Sequence, residues 1–109
     1  MPLFKDLETD QMVNVYDVEE IKSRLTPVFN ANGVKSAVLF GSYANGSATE
    51  KSDIDLLVDS GLKGLNFVGL TEYIRKALEK EVDVIDVGYV KKGSNIEDEV
   101  RETGIKIYG

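Results

Sequence analysis

From Asp17 onward the apolar positions fall into periods. Val18, Ile21, Leu25 and Val28 recur at helical spacing, and Asp17 with Glu20 has the form of a capping box, so a helix is predicted up to Asn32-Gly33. Pro27 lies inside that pattern and predicts a kink or an early end near Thr26. Val34 to Phe40, closing with Ala37-Val38-Leu39-Phe40, reads as a strand that stops at Gly41-Ser42, and Ile54 to Val58 reads as a second. Between Leu65 and Lys80, Phe67, Leu70, Ile74, Ala77 and Leu78 share one side while Glu72, Arg75, Lys76 and Glu79 share the other, an amphipathic helix that Gly69 weakens slightly. Val82 to Val87 is a third strand. Ser94 and Glu97 form a second capping box for a short helix ending near Thr103-Gly104, and Ile105 to Tyr108 alternates like a final strand. The predicted order is α β (loop) β α β α β. Residues 1–16 mix charged and apolar positions at no clean period and read as an N-terminal arm that packs as an edge strand, lies loose or mediates dimerisation. Residues 17–109 then form a single domain.

Composition narrows the chemistry more by what is missing than by averages. The 109 residues include no His, no Cys and no Trp. That removes Ser-His-Asp and Cys-His catalysis, thiolate zinc sites, disulfides and redox pairs, and leaves proton transfer to carboxylate, Lys, Tyr or water. A protein metal site must be built mainly from oxygens, which favours Mg²⁺ or Mn²⁺. The formal charge of −6 opposes direct binding of long nucleic acid. No run approaches a membrane span and the start, Met-Pro-Leu-Phe-Lys-Asp, has no signal-peptide pattern, so the expected location is the cytoplasm.

The stretch between the first two strands carries the candidate chemistry. Gly41 lacks a Cβ and lets backbone approach a ligand, while Ser42 adds a hydroxyl and opens a short helix suited to phosphate. Asp53 and Asp55, two apart on a strand, point to one face while Ile54 and Leu56 point to the core. Two such carboxylates can share one or two hard cations and clamp the oxygens of a phosphoryl or nucleotidyl transfer. Nine Asp in 109 residues make about 0.7 such pairs by chance. The pair alone therefore reads as an exposed strand face, and the information lies in the ordered combination with Gly-Ser.

That combination, G-S-x10-D-x-D, resembles the signature of the nucleotidyltransferase superfamily related to DNA polymerase beta. Leu39-Phe40-Gly41-Ser42-Tyr43-Ala44-Asn45-Gly46 and Ser52-Asp53-Ile54-Asp55-Leu56-Leu57-Val58 are similar more narrowly to the minimal nucleotidyltransferases, or MNT proteins, over residues 17–109. The resemblance implies an α+β nucleotidyltransferase fold, a small mixed sheet with helices mainly on one face. It implies that Gly41 and Ser42 hold the phosphates of ATP and that Asp53 and Asp55 bind two Mg²⁺ ions. A third carboxylate on a later strand completes the family pattern, and Val82-Asp83-Val84 has its usual form. Asp83 and Asp86, three apart on a strand, face opposite sides, so only one can join the site. Asp83 matches the family position, where the resemblance implies that it completes the metal site and accepts the proton of the incoming hydroxyl.

The family is commonly encoded beside a HEPN-domain toxin and serves as its antitoxin, by moving AMP from ATP to a tyrosine of that ribonuclease. With 109 residues there is no second domain to hold another acceptor, which favours a protein acceptor, and the acidic charge suits a basic partner. The alternative is a binding module of the same fold that neutralises its partner by contact. One departure stands out. Asn45 occupies a position where many relatives carry a basic residue, leaving Lys51, Lys63, Arg75, Lys76, Lys91 and Lys92 either as replacements or as ordinary solvated charges. Tyr43 either packs beneath the loop or touches the base.

Overall fold

The computed structural model describes residues 15–109, so most of the N-terminal arm, residues 1–14, lies outside the described residues. Helix α1 spans Val18–Ala31. Asp17 Oδ1 accepts the Glu20 N–H at 2.8 Å, and the Glu20 carboxylate pairs with Arg24 at 2.7 Å. The helix does not end at Thr26; it runs through Pro27 to Ala31. Proline removes one helical hydrogen bond and crowds the preceding turn, but Pro27 is on the exposed side while Phe29, two residues later, is fully buried and draws the last turn onto the core.

Strand β1 covers Ser36–Phe40, the four-residue helix α2 covers Ser42–Asn45, and β2 covers Ile54–Asp59. Helix α3 spans Leu65–Leu78 and stops two residues short of the predicted Lys80, because Glu79 turns into the left-handed region at φ 53°. Strand β3 runs Val82–Asp86. Val87, predicted to extend it, starts a 3-10 turn instead, since the Asp86 carboxylate accepts the Gly88 N–H at 2.8 Å. Helix α4 covers Asn95–Thr103, capped by Ser94 Oγ on the Glu97 N–H, and β4 covers Ile105–Tyr108.

The four strands form one mixed sheet in the order β3-β2-β1-β4. β1 is antiparallel to both β2 and β4, while β2 and β3 are parallel and joined by α3 as the crossover. Ala37, Leu39, Ile54, Leu56, Val58, Val82 and Ile107 face Ile21, Leu25 and Phe29 of α1 and Leu70, Ile74 and Leu78 of α3, all of them buried. Each large side chain buried there contributes about 1.5–3 kcal/mol. Both long helices therefore lie on one face. The opposite face carries Val38, Leu57 and Ile85, half-buried, with α4 packed against β1. Tyr16 is held at the core's edge, its hydroxyl donating to the Leu78 carbonyl at 2.7 Å beneath the Arg24 guanidinium.

Candidate active site

The site is assembled where β1 ends and β2 and β3 begin. Gly41 leaves β1 with φ 78° and ψ −152°, a conformation open to glycine and strained for other residues. A Cβ at this position would stand 2.5 Å from Asp55 Oδ2. Backbone angle and close approach thus demand glycine independently. The Gly41 carbonyl accepts the Ala44 and Asn45 N–H groups, which starts α2, and Ser42 is the first residue of that turn.

Asp53 immediately precedes β2 and is exposed, whereas Asp55, the second residue of β2, is half-buried. Ile54 and Leu56 are fully buried, so alternation places both carboxylates on the opposite face. The register of the sheet adds the third. Asp55 is the parallel partner of Asp83, and neighbours in register share a face. Asp86 is instead the partner of Val58, on the core-facing parity, and its carboxylate is engaged by the Gly88 N–H.

This grouping is electrostatically unfavourable on its own. Burial foremost, and then the negative charges of Asp83, Glu99 and Asp53 in that order, together push the Asp55 carboxyl up to about 6. Glu99 comes from α4 and was not among the residues singled out from the sequence. Nor was Thr103, whose hydroxyl accepts the Gly41 N–H at 3.0 Å and donates to the Glu99 carbonyl at 2.8 Å. No pattern in the chain announces either residue, because α4 reaches the site only through its packing on β1.

Among the described residues, no three acidic side chains form a ready-made metal cage. Magnesium does not need one, since it is usually held by one or two carboxylates together with phosphate oxygens and water. The donors here are all carboxylate oxygens, the set a small hard dication prefers, and the raised Asp55 carboxyl marks negative charge that such an ion would relieve.

The basic candidates divide by position. Lys51 is on the loop that leads into Asp53 and is exposed, while Lys63 follows the far end of β2. Arg75 pairs with Glu72 at 2.9 Å and with Glu81 at 3.9 Å. Lys76, Lys91 and Lys92 are exposed. Asn45 Oδ1 accepts both the N–H and the hydroxyl of Ser47, a local turn. Tyr43 is 4% exposed and packs beneath the loop as part of the core. The Lys80 ammonium, not among the sequence candidates, lies 5.9 Å from the Tyr43 ring centre and donates to the Glu50 carbonyl at 3.2 Å, tying the loop to the end of α3.

Known proteins are similar to this chain in sequence and in fold. A protein of Methanocaldococcus jannaschii, provisionally named protein adenylyltransferase MJ0435, is 42% identical over 71 residues, 63% of this chain and 76% of that protein. Protein adenylyltransferase MntA of Thermococcus cleftensis is 38% identical over 82 residues, 70% of this chain and 83% of its own. In fold, the chain is similar to a crystal structure of a toxin–antitoxin with AMP-PNP, at TM-score 0.69 and 24% identity over 81% of this chain and 73% of that one. It is also similar to a structure of a tri-AMPylated Shewanella oneidensis HEPN toxin in complex with MNT antitoxin, at TM-score 0.64 and 21% identity over 84% of this chain and 72% of that one. The family described as polymerase beta, nucleotidyltransferase matches residues 19–109, from α1 to the C-terminal glycine and across every strand that builds the site. By that match the chain belongs to the polymerase beta nucleotidyltransferase family.

Proposed function

We propose that this chain is a magnesium-dependent protein adenylyltransferase that moves AMP from ATP to a tyrosine hydroxyl of a HEPN-domain toxin encoded beside it, acting as its antitoxin. The observation that carries the reading is the pairing of Asp55 with Asp83 across parallel strands, with Asp55 lying against the bare α-carbon of Gly41. It is supported by relatives named as protein adenylyltransferases and by a fold shared with a complex of an AMPylated HEPN toxin and MNT antitoxin.

Each residue has a distinct task. The turn at Gly41 and Ser42 receives the triphosphate, because a backbone without a side chain lets phosphate oxygens come close. Asp53 and Asp55, with Asp83, hold magnesium. When bound, two such ions offset the charge on the triphosphate and on the departing pyrophosphate. The tyrosine oxygen of the acceptor forms a bond to the α-phosphorus, and the bond from that phosphorus to the oxygen bridging to the β-phosphate breaks. Pyrophosphate leaves with the electron pair. The phenolic proton passes to Asp83, which lies next to Asp55 on the open face and takes the part that histidine plays elsewhere. Rate enhancement then comes chiefly from positioning and charge compensation.

The test is the intact mass of the neighbouring gene's HEPN product after incubation with this protein, ATP and Mg²⁺. The expected result is a gain of whole AMP units that vanishes with Asp53→Asn. A stable complex with no gain in mass would overturn the enzymatic reading in favour of neutralisation by contact.

A further inference from the structure

We propose that Thr103, at the end of α4, is a positioning residue that holds the phosphate-receiving turn in shape by bridging the Gly41 N–H to the Glu99 carbonyl. The inference rests on the nucleotidyltransferase reading above. A threonine that donates to the carbonyl four residues back is common in helices and means little alone. Here the same oxygen also accepts from a buried amide 62 residues away in the chain. Its donor and one acceptor position are therefore both in use.

Gly41 needs such a restraint. Glycine explores left-handed and extended backbone at little cost, so its presence permits the conformation without enforcing it. Enforcement comes from three sides. The Gly41 carbonyl is held by the first amides of α2, its α-carbon lies against the Asp55 carboxylate, and its N–H is held by Thr103. Thr103 is itself fixed by backbone. The Gly104 N–H bonds the Val100 carbonyl at 2.8 Å, and a Cβ on Gly104 would meet that carbonyl and stand 3.0 Å from Val38 Cγ1, so the end of α4 is pressed onto β1. Through Thr103, α4 sets the geometry in which the turn meets ATP, without touching the nucleotide.

The test compares Thr103→Val, which keeps the shape and loses the hydroxyl, with Thr103→Ser, which keeps the hydroxyl. Leaving one buried amide without its partner is expected to raise the KM for ATP about tenfold with little change in kcat, and Thr103→Ser is expected to restore most of the loss. If Thr103→Val fails to fold, Thr103→Ala replaces it with the same expectation. A second readout does not depend on the reaction. Hydrogen exchange of the Gly41 amide, measured without nucleotide, should quicken in Thr103→Val and stay slow in Thr103→Ser. A folded, active Thr103→Val with wild-type KM overturns the proposal, as does unchanged Gly41 exchange. If the wild-type protein transfers no AMP, the functional reading fails separately, and the exchange experiment still decides whether Thr103 holds the turn.

Discussion

The two faces of the sheet are made from the same strands and do opposite things. On one, Leu39, Ile54, Leu56 and Val58 meet α1 and α3 and are fully buried. On the other, the intervening residues include Asp55 and Asp83, side by side, with Asp53 at the edge and Glu99 reaching in from α4. The first face supplies the free energy that lets the chain fold. The second spends part of it on like charges, which is the expected signature of a surface shaped for a ligand that the protein does not itself contain. Strand alternation makes the division sharp, since one step along β2 moves from a fully buried Ile54 to a charged Asp55.

Truncating each face in turn should separate the two roles. Phe29→Ala removes the largest fully buried side chain among the described residues and should cost about 3–5 kcal/mol, a large share of a small domain's stability, seen as a drop in the urea midpoint. Asp55→Asn should do the reverse. Transfer should fall by about a thousandfold, as when a central transition-state contact is lost, while the Tm at pH 7.5 rises by a few degrees because a repelled charge is gone. If Asp55→Asn lowers Tm, the open face is structural and the comparison breaks.

The same division decides what could be read from the chain. The covered face was legible. The apolar positions of α1, α3 and β2 repeat at the spacing their elements require, and the Asp17 and Ser94 caps are local chemistry. The structure departs from the local signals where tertiary packing or a side-chain hydrogen bond intervenes. Pro27 signals a kink or an early end, but with Phe29 buried α1 continues past it to the Asn32 cap that the sequence also indicates. The sequence reads β3 as running through Val87, yet the Asp86 carboxylate turns the chain at that point. On the open face, parity placed Asp83 and Asp86 on opposite sides, and family resemblance chose between them. The register that sets Asp83 beside Asp55 is a long-range pairing with no signal of its own. Thr103 and Glu99 were invisible for the same reason.

A subtler separation comes from pH. Asp55 has its carboxyl at about 6 in the folded chain against a usual 3.8, so ionising it is harder in the folded state. The stability it contributes is full below about pH 4 and is lost as pH rises through about 6. Cation binding runs the other way, because only the ionised carboxylate binds. The kcat/KM for ATP should therefore fall on acidification with an apparent pKa near 6. The smallest effect is expected from Glu99→Gln. It removes one of the neighbouring charges without altering the three proposed ligands, and should move that acid limb slightly downward. An unmoved limb would show that Glu99 is not part of the site's field.

The most direct test of the open face as the metal site is a Mn²⁺ titration followed by electron paramagnetic resonance in the presence of a non-hydrolysable ATP analogue. It would compare wild type with Asp83→Asn and Asp86→Asn. Wild type and Asp86→Asn should both take up the ion with similar affinity, since Asp86 lies on the other parity and serves the turn at Gly88. Asp83→Asn should bind it markedly more weakly. Equal binding by Asp83→Asn, or loss confined to Asp86→Asn, would contradict the assignment of Asp53, Asp55 and Asp83 as one site.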